Sequence, residues 1–200
     1  MGVLVGKSAP DFDVAAVLGS GEIVDSYKRS EAMAGKYGVV FFYPLDFTFV
    51  CPSELIALDH RMDKFRELGV EVVAVSIDSQ FTHNAWRNTD VNAGGIGAVT
   101  YTMAADVNHD ICRAYDVESA GGVAFRGAFL IDRDGVVRAQ LINDLPLGRN
   151  IDELIRLVEA LQFHEEHGEV CPAGWNKGDK GMDASPTGVA SYLSENAGAL

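Results

Sequence analysis

The chain has 200 residues, a length that favours one globular domain with at most a small appendage. Hydrophobic residues make up 48% of it and charged residues 22%, which excludes a chain that is disordered, collagen-like or a disulfide scaffold as a whole. The formal net charge of −13 disfavours nucleic acids and anionic membrane surfaces as partners, because their phosphate groups would repel the chain. No apolar run approaches the roughly 20 residues of a membrane span, and the first residues lack the pattern of a secretory signal, so we expect a cytoplasmic protein.

The first half of the chain predicts a strand, a helix and a second strand in that order. Residues 37–43 are mostly β-branched or aromatic, which is typical of a strand buried on both faces. From Pro52 to Phe65 apolar residues recur every three or four positions, which predicts one amphipathic helix that ends at Gly69. Residues 70–77 predict a second buried strand, so the two strands should be parallel and joined by a right-handed crossover.

The second half predicts further strands and helices that complete a mixed sheet. In chain order these are a helix, a strand, a short helix, two strands flanking a hairpin turn at Arg133, Asp134 and Gly135, and a long helix, over residues 81–89, 101–106, 108–115, 125–132, 136–143 and 151–167. After Gly168 the sequence is rich in Gly, Lys, Asp and Pro, and only residues 191–197 predict a helix again. We therefore expect an α/β fold at 1–167, with a mixed central sheet flanked by helices, and a mobile C-terminal arm at 168–200.

The number and spacing of the cysteines argue against a structural disulfide framework and leave reactive chemistry open. Three of them, Cys51, Cys112 and Cys171, are too few and too widely spaced to staple a secreted fold, and no Cys-x-x-Cys or paired histidine spacing offers metal ligands. We expect no metal and no other cofactor. In a reducing cytosol, a disulfide between such cysteines is typically transient and catalytic.

Cys51 precedes Pro52, and proline is favoured in the first turn of a helix, which places the cysteine near the helix N-cap. The positive end of a helix dipole lowers the pKa of thiols, so the sequence predicts a reactive thiolate here. Pro44 and Thr48 fall in the same loop, at the carboxyl end of a central strand, where open α/β sheets place their ligand sites. The alternative is that Cys51 is a small buried apolar residue.

The segment from Tyr43 to Glu54, YPLDFTFVCPSE, resembles the active-site signature of the peroxiredoxins. The family pattern of Pro, three residues, Thr, two residues and Cys is met by Pro44, Thr48 and Cys51. The resemblance extends over essentially the whole chain, through SAPDF, GGIG, FRGAFLID and the GEVCPAGW motif around Cys171. The last motif is similar to that of the typical two-cysteine peroxiredoxins, near the alkyl hydroperoxide reductase C branch. The resemblance implies a thioredoxin-like fold.

The resemblance also implies a reaction, in which the Cys51 thiolate attacks the O–O bond of hydrogen peroxide or an organic hydroperoxide. Cys51 becomes a sulfenic acid, and water or an alcohol leaves. Thr48 and Arg126 match the residues that hold the peroxide oxygens, with Pro44 shielding the sulfur. Glu54 and Arg149 match the residues that orient the arginine. For Arg126 alone, the residues leave open the alternative of a solvated charge on a strand.

In the family, a second cysteine from the neighbouring subunit resolves the sulfenic acid, and Cys171 matches that position. The resemblance therefore implies an intersubunit disulfide between Cys51 and Cys171 in a homodimer, often within a ring of five dimers. Taken alone, without the resemblance, Cys171 is better interpreted as a bystander thiol in a flexible arm. Cys112 matches no redox position and is expected to be structural.

Reduction of the disulfide must come from outside the chain, since the chain has no second dithiol. In relatives a thioredoxin or a flavin-containing disulfide reductase supplies it. A second function, that of a holdase chaperone in larger assemblies, is known in some relatives and is kept as an alternative. The absence of a Cys-x-x-Cys motif argues against a disulfide exchanger.

Overall fold

A computed structural model describes the backbone of residues 2–199 and the side chains of residues 2–198. The chain divides into two compact units, Met1–Ile151 and Asp152–Leu200. The expected domains, 1–167 and 168–200, remain a prediction, because the compactness of these units does not bear on which segment carries the peroxidase chemistry.

The first unit is built on a seven-stranded sheet whose strands are, in chain order, β1 Asp13–Val17, β2 Ile23–Lys28, β3 Tyr37–Phe42, β4 Val70–Ser76, β5 Thr102–Ala105, β6 Arg126–Ile131 and β7 Val137–Asn143. Across the sheet the order is β2-β1-β5-β4-β3-β6-β7. The unit's α-helices are α1 Arg29–Ala32, α2 Cys51–Asp59, α3 Met62–Glu67, α4 Gln80–Arg87 and α5 Asp110–Ala114, and a 3₁₀ helix spans Val91–Ala93.

The central strands confirm the predicted mixed sheet. β3 pairs in parallel with β4, and β4 with β5, whereas β6 pairs antiparallel with β3. All six residues of β3 are buried, as expected for a strand covered on both faces. The predicted hairpin is also present, because β6 and β7 are antiparallel neighbours and Gly135 takes the positive φ of 80° that the turn requires.

The hydrophobic core on one face of the sheet is formed by alternate residues of the central strands. Val40 and Phe42 of β3, Val73 and Val75 of β4 and Phe129 of β6 all belong to it. Tyr115, just after α5, packs its ring on both aromatic residues, 5.1 Å from the Phe42 ring and 4.9 Å from the Phe129 ring. This packing fixes β3, from whose carboxyl end the loop that leads to Cys51 emerges.

The single helix predicted after Pro52 is two helices, α2 and α3, separated by a turn at His60 and Arg61. The expected core residues are nevertheless buried on both sides of the break, with Leu55, Leu58 and Phe65 at 0% exposure. The spacing of apolar residues predicts which side chains face the core. Across this turn the same side of the chain continues to face the core. The prediction of one continuous helix was therefore wrong, while the predicted buried face is confirmed.

The second unit contains α6, Ile151–His167, which begins at the unit boundary, then α7, Pro186–Asn196, and a 3₁₀ turn at Ala197–Ala199. The α6 bounds agree with the sequence prediction. α7 begins earlier than the predicted residue 191, because Ser185 caps the helix by accepting a hydrogen bond from the Gly188 amide and Pro186 lies in the first turn. Between the helices, Val170 and Met182 form an antiparallel bridge. Among the described residues, no helix is both long enough and apolar enough to cross a membrane.

Candidate active site

Cys51 is the first residue of α2, directly after the N-cap residue Val50, which confirms the predicted position near the N-cap, and Pro52 lies in the first turn. The thiol is buried, with 1% of the residue exposed. Its position at the amino end of a nine-residue helix agrees with the electrostatic setting predicted from the Cys51-Pro52 step.

Arg126, at the start of β6, brings a positive charge to Cys51. Its Nη1 lies 3.5 Å from the Cys51 Sγ, and only 3% of the residue is exposed. Nη1 also donates to Glu54 Oε2 at 2.7 Å, and Nε donates to the Leu145 carbonyl at 2.7 Å. The alternative that Arg126 is a solvated charge on a strand is therefore wrong.

Glu54 and Arg149 complete a buried ion cluster with Arg126, here called the Glu54 cluster. Arg149 donates through its backbone amide and Nε to Glu54 Oε1, both at 2.8 Å, and through Nη2 to Oε2 at 3.1 Å. Its Nη1 donates to the Gly127 carbonyl at 2.6 Å, and its guanidinium lies 3.4 Å from the centre of the Phe41 ring. Both Glu54 carboxylate oxygens and all three side-chain nitrogens of Arg149 therefore have a partner.

The Glu54 cluster carries a net positive charge next to the Cys51 sulfur. Burial alone would raise the pKa of Glu54, but hydrogen bonds and charge from Arg149, with the charge of Arg126, outweigh it and lower that pKa. One carboxylate and two guanidinium groups leave a single net positive charge in a buried site. That charge lies directly beside the Cys51 thiol.

The loop before Cys51 presents the other two predicted site residues. Pro44 is buried, and Thr48 is partly exposed and donates from Oγ1 to the Leu45 carbonyl at 2.8 Å. Between them Phe47 has a φ of 53°, the left-handed region that costs a non-glycine residue roughly 1–2 kcal/mol. Its ring lies 5.7 Å from that of Trp86. Pro44 and Thr48 thus lie on one short, strained loop that leads directly into Cys51.

A buried polar network behind this loop was not predicted from the sequence. Asp46, only 6% exposed, accepts from the Tyr43 hydroxyl at 2.7 Å, and its Oδ2 lies 2.8 Å from His83 Nδ1. Burial raises the pKa of Asp46, and the bonds from His83 and Tyr43 oppose that shift. The histidines were assessed only as metal ligands, and no local pattern pairs a loop aspartate with a helical histidine 37 residues later.

Cys171 lies in the second unit, and its environment can be described within that unit. Its Sγ donates to the Ala160 carbonyl of α6 at 3.4 Å, and burial raises the pKa of the thiol. The loop that carries it is held by Trp175, whose ring lies 4.9 Å from that of Phe163 and whose carbonyl accepts from Arg156 at 2.9 Å. Cys171 is thus a partly buried thiol in a loop that contacts α6.

Cys112, on α5, is fully buried in the first unit. Burial, reinforced by the neighbouring Asp106, raises its pKa well above the ordinary thiol value, which suits the structural role expected for it. All three cysteines are free thiols. Among the described residues, no cluster of three or more His, Cys, Asp or Glu side chains could hold a metal ion.

Comparison with known proteins places the chain among the peroxiredoxins. The family model described as "AhpC/TSA family" matches residues 5–140, and the one described as "C-terminal domain of 1-Cys peroxiredoxin" matches residues 160–195. Alkyl hydroperoxide reductase C of Helicobacter pylori is 55% identical, over 97% of this chain and 98% of that protein. Peroxiredoxin-2 of Mus musculus is 48% identical, over 96% of each chain.

A solved structure agrees with these sequence relatives. The reduced 2-Cys peroxiredoxin of Plasmodium vivax superposes with a TM-score of 0.93 at 44% identity, covering 96% of this chain and all of that chain. This likeness confirms the thioredoxin-like α/β fold expected from the sequence. Since one family model spans most of the chain and relatives match nearly its whole length, the chain belongs to the AhpC/TSA family, the family of the peroxiredoxins.

Proposed function

We propose that Cys51 carries the thiol peroxidase activity of this family in the present chain, and that it reduces hydrogen peroxide and alkyl hydroperoxides. The observation that carries the proposal is the 3.5 Å approach of Arg126 Nη1 to the buried Cys51 Sγ at the amino end of α2. A thiolate is the nucleophile in such chemistry, and a fixed buried cation stabilises it. Alkyl hydroperoxides are the substrates named in the relatives that match nearly the whole chain.

In the first step, the Cys51 thiolate attacks the terminal oxygen of the peroxide. An S–O bond forms as the O–O bond breaks, the departing oxygen takes a proton, and water or an alcohol leaves. The sulfur is oxidised to a sulfenic acid, and the peroxide is reduced. Negative charge develops on the departing oxygen, so a fixed donor beside the sulfur stabilises the transition state.

Arg126 and Thr48 are the residues assigned to hold the peroxide. The Arg126 guanidinium is fixed by Glu54 and the Leu145 carbonyl, so it needs no rearrangement to donate to the peroxide oxygens. The Thr48 hydroxyl already donates to Leu45, which leaves its oxygen as an acceptor for the peroxide proton. Pro44 is buried on the same loop and limits access of water to the sulfur.

Glu54 and Arg149 are assigned as positioning residues. Glu54 Oε2 accepts from Arg126, while both of its oxygens accept from Arg149. Arg149 is anchored in turn by the Gly127 carbonyl, on the same strand as Arg126. This arrangement holds the Arg126 guanidinium at the sulfur.

The effect of Arg126 on the reaction can be measured directly. We expect Arg126→Met to lower the second-order rate constant for hydrogen peroxide by about 10²- to 10³-fold, the usual effect of losing one transition-state donor. Arg133→Met is the matched control, because Arg133 lies in the β6–β7 turn and is exposed. A rate for Arg126→Met equal to that of the control would contradict the assignment.

Cys171 is assigned as the resolving cysteine. Its thiol condenses with the Cys51 sulfenic acid of a partner subunit, so an S–S bond forms and water leaves. The product is an intersubunit disulfide in a homodimer. An external dithiol, from a thioredoxin or a flavin-containing disulfide reductase, then reduces the disulfide by exchange and is itself oxidised. Such exchange suits the reducing cytoplasm, to which we assign the protein.

Non-reducing electrophoresis after one equivalent of hydrogen peroxide tests this assignment. We expect a disulfide-linked dimer that is absent in Cys51→Ser and in Cys171→Ser. Cys112→Ser is the matched control and should retain the dimer, since that thiol is fully buried. A dimer that persists in both active-site variants, or an intramolecular disulfide in the parent chain, would refute the pairing.

Assembly beyond the dimer, into a ring of five dimers, is also proposed. Several large apolar side chains of the first unit are exposed, among them Phe49 at 96%, Phe81 at 67% and Val91 at 55%. Large contiguous patches of exposed apolar side chains are typical of protein–protein interfaces. Contact between copies of the chain would remove them from water.

A further inference from the structure

We infer that Asp78, in the turn after β4, is a positioning residue that fixes the peroxide-binding loop. The loop, residues 44–50, carries Pro44 and Thr48 and leads into Cys51. This inference rests on the proposed function, because it concerns how Thr48 is presented to the peroxide. Asp78 lies 27 positions beyond Cys51 in the chain and belongs to no sequence motif identified above.

The loop needs an anchor because it leaves the sheet at Pro44. The last ladder bond of the strand runs from the Tyr43 amide to the Val75 carbonyl at 3.0 Å. Pro44 has no amide hydrogen and therefore cannot extend the ladder. The next backbone bond toward β4 is made by the Asp46 amide, which donates to Asp78 Oδ2 at 2.9 Å.

The acceptor is itself fixed in place. The Ser76 hydroxyl donates to the same Oδ2 atom at 2.7 Å, and its oxygen accepts from the Asp78 amide at 3.2 Å. Ser76 is fully buried at the end of β4. Ser76 therefore holds Oδ2 of Asp78 in the position from which it accepts the loop's hydrogen bond, in the turn that follows the central strand β4.

The anchored residue adjoins the strained one. Phe47, with its positive φ, lies between Asp46 and Thr48, and such a conformation persists only where surrounding contacts determine it. The Asp46 side chain is held by Tyr43 and His83, and Asp78 holds its backbone. Loss of the Asp78 bond would let the loop relax at Phe47 and displace Thr48.

The variants Asp78→Ala and Asp78→Asn separate this role from a charge effect. Alanine removes the acceptor, whereas asparagine removes the charge but keeps one carbonyl oxygen, which can accept both bonds now made to Oδ2. We expect Asp78→Ala to lower the rate constant for hydrogen peroxide by about 10- to 100-fold, as a misplaced reacting group does. Asp78→Asn should restore most of the rate.

A second readout distinguishes loop positioning from general loosening. Alkylation of Cys51 by iodoacetamide, measured in chains that also carry Cys171→Ser, depends on the thiolate and not on Thr48. Because the Asp78 carboxylate bonds to Asp46 and Ser76, whereas Arg126 is the charged group beside Cys51, we expect this rate to change by no more than about twofold in Asp78→Ala. Asp134→Ala, an exposed carboxylate in the β6–β7 turn, is the control and should leave both rates unchanged.

The outcomes are distinct. If Asp78→Ala keeps the peroxide rate, or lowers both rates together, the inference is overturned. If Asp78→Ala fails to fold, Ser76→Ala, which removes the hydroxyl that orients the carboxylate, must show a smaller loss in the peroxide rate alone, and no loss would overturn the inference. If the parent chain does not consume peroxide, the proposed function fails first.

Discussion

Replacement of Cys51 by serine is expected to abolish peroxide turnover while leaving the fold intact. Enzymes accelerate their reactions by roughly 10⁶-fold or more, and here the nucleophile is the group on which that acceleration depends. A serine hydroxyl stays protonated at neutral pH and is a poor nucleophile toward an O–O bond. Because the residue is buried at the start of α2 and serine is nearly isosteric, the packing around it should persist.

Consumption of hydrogen peroxide with a dithiol reductant measures this loss, and circular dichroism checks the fold. Cys112→Ser, the same change at a fully buried cysteine away from the site, should keep the activity. If Cys51→Ser turned over peroxide at a rate comparable to that of the parent chain, the assignment of Cys51 as the nucleophile would be wrong. The same variant tests the chaperone hypothesis, since suppression of client aggregation without Cys51 would show a function independent of the peroxidase.

The parts of the site that could be predicted from the sequence are those encoded locally. Cys51 with Pro52 indicates a helix start, and Pro44 and Thr48 fall within the same loop, so short-range rules suffice. Arg126 was identified only by resemblance to a family motif, because it is 75 residues from Cys51 and a lone arginine on a strand is ordinarily solvated. Its burial beside the thiol is decided by strand order, which local patterns do not encode.

Contacts between residues that are far apart in the chain and brought together by the sheet cannot be predicted from local sequence patterns. Asp46 and Asp78 are 32 residues apart and meet because β3 and β4 are adjacent parallel strands that end at the same edge. Strands β1 and β2 were not predicted from the sequence. β2 lies at the edge of the sheet and most of its residues are exposed, so its sequence lacks a clear alternation of apolar and polar residues. β3, a continuous apolar run, and α6, whose apolar residues recur every three or four positions, were predicted with nearly their observed bounds.

Glu54→Ala is expected to be the most destabilising of the site substitutions. The carboxylate is 2% exposed and is the partner of two buried guanidinium groups, those of Arg126 and Arg149. Its removal leaves both cations buried without an anion, which in proteins costs about 3–5 kcal/mol. The free energy of unfolding, from urea denaturation, measures the effect. Misplacement of Arg126 should slow the peroxide reaction in the same variant.

Glu153→Ala is the matched control, since Glu153 also pairs with an arginine through two short bonds, at 2.6 and 2.7 Å to Arg156. That pair lies on the surface of α6, with side chains 35% and 27% exposed, and should contribute only about 0.3–0.5 kcal/mol. The two carboxylates differ in burial and in the number of arginines that each one pairs with. An equal loss of stability in both variants would contradict the view that desolvation sets the importance of the Glu54 cluster.

The pH dependence of the Glu54 contribution follows from the direction of its pKa shift. The pKa of Glu54 in the folded chain is lowered from the ordinary value of 4.5, so folding favours the ionised form. The stabilisation is fully present above pH 4.5 and is lost as the pH falls through the lower folded-state pKa. Glu54→Gln, which keeps the shape but cannot ionise, should therefore be less stable than the parent chain at neutral pH. We expect the difference in unfolding free energy to narrow in acid, and a difference that widened there would mean that Glu54 is not held as a carboxylate by its two arginines.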